Sequence, residues 1–149
     1  MLDVACGGGR HAVFFAGRGY AVDAVDRDAA VLCGLEGVAG VRPLCADIES
    51  GPWPYARRTY AGVVVTNYLH RPLLPVLVDA VGAGGVLIYE TFAVGNERYG
   101  RPSNPAFLLE PGELLEAVRG RLRVVGYEDV DVGEPKPAAV QRICAARTA

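Results

Sequence analysis

The chain opens MLDVACGGGRHAVFFAGRGYAVDAVDRD: an apolar run, three consecutive glycines, a stretch with helical spacing, and a second apolar run that ends on an acid. A strand that runs into glycines and then into a helix makes a tight turn and lets the backbone approach a ligand closely. In an open α/β sheet such a loop lies at the carboxyl end of the first strand, where ligands bind. This narrows the fold to a wound α/β sheet with a nucleotide-type ligand at one edge. It leaves the ligand open, because Gly7, Gly9 and Ala12 also fit the dinucleotide spacing G-x-G-x-x-G/A.

The rest of the chain continues the alternation. Residues 1–5 read as a strand, 10–18 as a helix stopped by Gly19, and 20–26 as a strand. Asp28 is a good N-cap for a helix through Leu35, which Gly37 ends, and 41–47 is a third strand. Residues 48–59 are turn-rich and 60–68 is a fourth strand. Leu73, Leu74, Leu77, Val78 and Val81 give 71–81 a helical period, and Gly84 and Gly85 turn the chain into a fifth strand over 86–92. After an irregular stretch, 93–110, Pro111 suits the first turn of a helix that runs to about Arg119, with Gly120 as its stop. The segments 122–130 and 140–147 read as two strands joined by a short linker and therefore paired antiparallel. No repeat or linker divides residues 1–149, so one mostly parallel α/β domain is expected.

Composition removes several classes of function. The 149 residues are 51% hydrophobic and 21% charged, which suits a sheet buried on both faces. A net charge of −2 gives no basic field for nucleic acid or an anionic membrane. The densest basic run, Arg119, Arg121 and Arg123, reads as a solvated helix end. Cys6, Cys33, Cys45 and Cys144 form no C-x-x-C pair and only two histidines exist, so no metal site is expected. The sequence shows no secretory leader and no apolar stretch long enough to span a bilayer, and a cytoplasmic protein with reduced thiols is expected.

Two acids bear on the ligand. Asp26 ends the second strand, where a carboxylate accepts hydrogen bonds from both ribose hydroxyls of a nucleoside. NAD and S-adenosylmethionine both call for that acid. Asp3 lies just before the glycines, where a carboxylate would repel a pyrophosphate but suits a sulfonium and an α-ammonium. It could equally tie the loop's backbone N–H groups.

LDVACGGGR resembles the first motif of the class I S-adenosylmethionine-dependent methyltransferases, commonly written L-D-x-G-C-G-x-G-R. Asp3, Cys6, Gly7, Gly9 and Arg10 match, while Ala5 replaces the first glycine and Gly8 a usual threonine. AVDAVDRD resembles the second motif, LCADIE the third, AGVVVTNYLHR the fourth, and AGGVLIYETF the fifth strand with its turn. The resemblance covers nearly the whole chain and extends to the small bacterial, tellurite-resistance-like members, which share a YETF…GN…G-x-P-x-N-P stretch with residues 89–105. It implies a Rossmann-like doubly wound sheet of seven strands, order 3-2-1-4-5-7-6, with a C-terminal antiparallel hairpin. It implies S-adenosyl-L-methionine as cofactor, held by Asp3, Ala5, Cys6, Gly7 and Gly9 at the loop. Asp26 would take the ribose, Arg27 would lie beside the adenine, Asp47 would meet the adenine amino group, and Ile48 would lie against the ring. Asn67, Tyr68 and Leu69 would complete the pocket.

Methyl transfer from a sulfonium is an in-line displacement in which positioning can supply much of the rate, so no catalytic dyad is required. The candidates at the strand ends are Tyr68, His70, which reads first as a cap or surface residue at the next helix start, and Glu90, which could equally form a salt bridge or a helix-end contact. Thr66-Asn67-Tyr68-Leu69 is not the Asn/Asp-Pro-Pro-Tyr/Phe signature of relatives that methylate amides and base amino groups, and a small-molecule acceptor is expected. The stretch 93–110 is too long for a bare connector and is expected to form a lid or substrate wall through Asn96, Tyr99 and Arg101.

Family members carry a segment before the first motif that packs on the sheet, whereas only Met1 and Leu2 precede Asp3 here. The expectation is a start placed too late, or a bare sheet face covered by a second copy in a homodimer. Two other readings remain: a nicotinamide-dependent oxidoreductase, and a non-catalytic remnant that keeps the fold and the cofactor.

Overall fold

Leu2, Asp3 and Val4 are almost fully buried and form the central strand, β1 (Leu2–Val4). After it come α1 (Arg10–Ala16), β2 (Val22–Asp26), α2 (Ala29–Leu32), β3 (Val41–Cys45), β4 (Tyr60–Thr66), α3 (Leu74–Asp79), β5 (Val81–Phe92), α4 (Glu113–Val118), β6 (Arg123–Val132) and β7 (Ala138–Ala146). This computed structural model describes residues 1–149. The seven strands form one sheet in the order β3-β2-β1-β4-β5-β7-β6, as the resemblance implies. β1 to β5 pair in parallel, and β7 pairs antiparallel with both β5 and β6.

The strand period of two distributes the core between the faces. Leu2, Val4, Val63 and Val65 pack with Leu77 and Val78 of α3 and with Leu114 and Val118 of α4. On the other face Val22, Ala24 and Val41 pack with Ala12 of α1 and with Leu32 of α2. That second cluster is the smaller, and Val13, Phe14 and Ile88 stay exposed on its side. No helix is long and apolar enough to cross a membrane.

The differences from the sequence reading lie at element ends. β1 stops at Val4 because Ala5 turns left-handed, and β4 stops at Thr66 because Asn67 does the same. The helix expected over 71–81 ends at Asp79, after a 3-10 turn over Arg71–Leu73. Val81 already pairs with Tyr60, so β5 begins there, and Gly82 to Gly85 fall within a break in register. α4 begins at Glu113 rather than at Pro111, because Gly112 takes the left-handed N-cap position. Asp28 caps α2 as expected, accepting the Ala30 N–H at 2.9 Å.

Candidate functional site

The glycine loop lies at the carboxyl ends of β1 and β2. Gly7 has φ +52° and nothing within 4 Å of where a Cβ would stand, so its surface is open to a ligand. Gly9, at φ +74°, packs so closely that a Cβ would stand 2.5 Å from the Leu35 methyls. The first opens the loop and the second seats it on the core.

Two carboxylates tie this loop from behind. Asp26 accepts the Gly7 N–H at 2.8 Å with one oxygen and the Asp28 N–H at 3.0 Å with the other. Asp3 is 2% exposed and accepts the Ala12 N–H at 2.9 Å. Burial pushes the Asp3 carboxyl up to about 7, against the pull of the Ala12 N–H and the Arg10 charge. Burial likewise pushes the Cys6 thiol up to about 12, so it stays protonated and is no nucleophile.

Two recesses open at this edge. The first, about 460 Å³, is lined by Asp26, Arg27, Asp47 and Ile48 on one side, and by Tyr68, Leu69, Thr91, Phe92, Pro102 and Phe107 on the other. The second, about 480 Å³, is lined by residues Cys6 to His11 with Thr66. Ala5 and Asn67 line both and so form the neck between them. Asp47 holds its own turn, accepting the Glu49 N–H at 2.9 Å and the Ser50 hydroxyl at 2.6 Å. These bonds hold its carboxyl below the usual range, the Ser50 hydroxyl contributing most.

The stretch 93–110 is a pinned wall. Asn96 is buried; its amide donates to the Pro102 carbonyl at 2.9 Å and accepts the Ala139 N–H at 3.2 Å. Gln141, fully buried, donates to the Glu110 carbonyl at 2.7 Å. Arg71 donates to the Ala106 and Leu108 carbonyls at 3.0 and 2.8 Å, and grips Glu113 through two bonds at 2.7 and 2.9 Å. Pro102 and Phe107, which line the recess, are thus each set by a clamp on their own or adjoining backbone.

Most of the cofactor residues named from the sequence lie together here: Ala5, Cys6, Gly7, Gly9, Asp26, Arg27, Asp47, Ile48, Asn67, Tyr68 and Leu69 all line one recess or the other. Asp3 lines neither and stands behind the loop. Asn96, Tyr99 and Arg101 also line neither; Asn96 is spent on the wall's backbone, and Tyr99 is exposed. Of the three proton-transfer candidates, only Tyr68 lines a recess, and burial pushes its phenol far up, so it stays protonated. Glu90 forms an ion pair with Arg142, which also reaches Glu128. His70 starts the 3-10 turn without a side-chain cap bond. Sequence reasoning missed Thr91 and Phe92, although both end a central strand where ligands bind. It also missed Pro102, Phe107 and His11.

Comparison with known proteins bears on this arrangement. TehB from Haemophilus influenzae superposes with a TM-score of 0.77 at 16% identity, over 99% of this chain and 57% of that one. The chain has the fold of the S-adenosylmethionine-dependent methyltransferases. It spans only 57% of the length of TehB. A TehB-like SAM-dependent methyltransferase from Corynebacterium glutamicum matches with a TM-score of 0.70 at 17% identity, over 99% of this chain and 79% of that one. A cyclase, SpnF, shares the fold with a TM-score of 0.73 at 14% identity, over 99% and 73% of the two chains. No protein-family model matches the sequence, and no curated protein does either.

Proposed function

We propose that the chain is an S-adenosylmethionine-dependent methyltransferase whose acceptor is a small molecule. The observation that carries this is the state of the glycine loop. The N–H groups of Gly7 and Ala12 already serve Asp26 and Asp3, which places two carboxylates against the loop where a dinucleotide's pyrophosphate would lie. The protein's own carboxylates stand at this loop and helix start, and their negative charge suits a cationic ligand and opposes an anionic one.

The residues fit that cofactor. The free lone pairs of Asp26 would take ribose hydroxyls, while Ile48 and Asp47 would meet the adenine ring and its amino group. The amino-acid part would pass the neck between Ala5 and Asn67 into the glycine recess. When bound, S-adenosylmethionine supplies an electrophilic methyl on a positively charged sulfur. The protein's contribution is to hold the acceptor in line with it. Thr91, Phe92, Pro102 and Phe107 form a largely apolar wall beside the neck, which suits a small acceptor better than a charged polymer. The net charge of −2 agrees.

The test is S-adenosylhomocysteine release from S-adenosylmethionine with a panel of small thiols, phenols and amines. Release above the acceptor-free rate is expected with at least one class. Binding of NADH without binding of S-adenosylhomocysteine would overturn the reading.

A further inference from the structure

His11 follows the glycine loop and lies in the first turn of α1. It lines the glycine recess together with Thr66 and Asn67. It also lines the adjoining hollow formed by Phe14, Val64 and Ile88, so the imidazole stands between the loop and the open face of the sheet. A ligand with its nucleoside at Asp26 and its amino-acid end at the glycines must cross the neck at Ala5 and Asn67. The sulfur joins those two parts, so it would lie at the neck, and His11 shares a recess wall with both neck residues.

We propose that His11 is the proton acceptor of the transfer, facing the sulfur of the bound cofactor. This rests on the cofactor assignment above. The acceptor's heteroatom uses a lone pair to form its bond to the methyl carbon, and the carbon–sulfur bond breaks with its electron pair going to sulfur. The heteroatom's proton passes to a neutral imidazole nitrogen of His11 and from there to water. The products are the methylated acceptor, S-adenosylhomocysteine and, transiently, imidazolium.

The surroundings suit that role. Burial and the neighbouring Arg10 charge push the imidazole's pKa down, against the pull of Glu90 from β5, so the ring is neutral near pH 7. Glu90 is itself held by Arg142 of β7. Within the glycine recess Cys6 stays protonated and Arg10 is a cation, so His11 is the side chain there able to take a proton. Tyr68 stays protonated, and His70 lines neither recess.

The test uses the two histidines as reporter and control in one protein. Their ring protons are titrated by NMR in the free chain, with S-adenosylhomocysteine and with S-adenosylmethionine, which differ by one methyl and one positive charge on sulfur. A unit charge a few ångströms away shifts a pKa by about half a unit or more. The proposal predicts that the His11 pKa is lower with S-adenosylmethionine than with S-adenosylhomocysteine by at least that much, stays below neutrality, and that His70 is unmoved. Equal values in two saturated complexes, or a protonated His11 at neutral pH, would overturn it and leave the cofactor assignment standing. Failure of both compounds to bind would overturn the cofactor assignment and this proposal with it.

Discussion

Ala5 and Asn67 follow the adjacent parallel strands β1 and β4, and both hold left-handed backbone, at φ +51° and +55°. They are two of only three non-glycine residues in that region, and together they form the neck between the recesses. Left-handed backbone costs a side-chain-bearing residue free energy and persists where the surroundings impose it. Ala5→Gly should therefore keep S-adenosylhomocysteine affinity and change stability by less than about 1 kcal/mol. Ala5→Val adds a branched side chain to that backbone and to the neck; it should cost about 1–3 kcal/mol of stability. Its affinity should fall by about tenfold or more. Calorimetric titration and thermal melts of the two variants check this, and equal affinities would remove the neck from the account.

The Asp3 carboxyl gives a pH dependence with a definite sign. Burial raises it from 3.8 to about 7, so the folded chain holds a proton that the unfolded chain has released. Without ligand, this group's contribution to stability falls as pH climbs from about 4 towards 7. The sulfonium of S-adenosylmethionine favours the carboxylate, so S-adenosylmethionine affinity should rise between about pH 5.5 and 7.5 and level off above. Titrations at three pH values, repeated on Asp3→Asn, check the slope; the variant should lose it.

Arg71 holds the wall through four bonds that join the start of α3, the backbone around Phe107, and α4. The guanidinium is partly exposed, so solvent screening reduces what its pairing with Glu113 contributes. Arg71→Met should cost about 2 kcal/mol, mostly through carbonyls and a carboxylate left without their donor. Amide exchange over residues 105–109 should accelerate far more than exchange in β1 and β4. Uniform acceleration would mean that the wall is not a separately held unit.

The alternation of strands and helices was legible because apolar runs and glycine stops fall in sequence, whereas the strand order came only with the family resemblance. The loop and its acids were legible because Gly7, Gly9, Asp26 and Asp47 carry motif spacing. Within the stretch 93–110 polarity pointed to Asn96, Tyr99 and Arg101, while Pro102 and Phe107 line the recess. Asn96 was misleading because a buried amide satisfies backbone groups as readily as a ligand. His11 carried no signal of its own, since only the fold brings the first turn of α1 beside the ends of β4 and β5. β5 was read too short because glycines that mark a turn in sequence also fit a break in register within one strand.

The central claim is that this glycine edge binds an S-adenosyl compound and not a dinucleotide. Isothermal titration with S-adenosylhomocysteine, in parallel with NADH and with Asp26→Ala as control, tests it most directly. One-to-one binding of S-adenosylhomocysteine, lost in the variant and absent for NADH, is the expected result. Binding of NADH alone, or S-adenosylhomocysteine binding indifferent to Asp26, would contradict the claim.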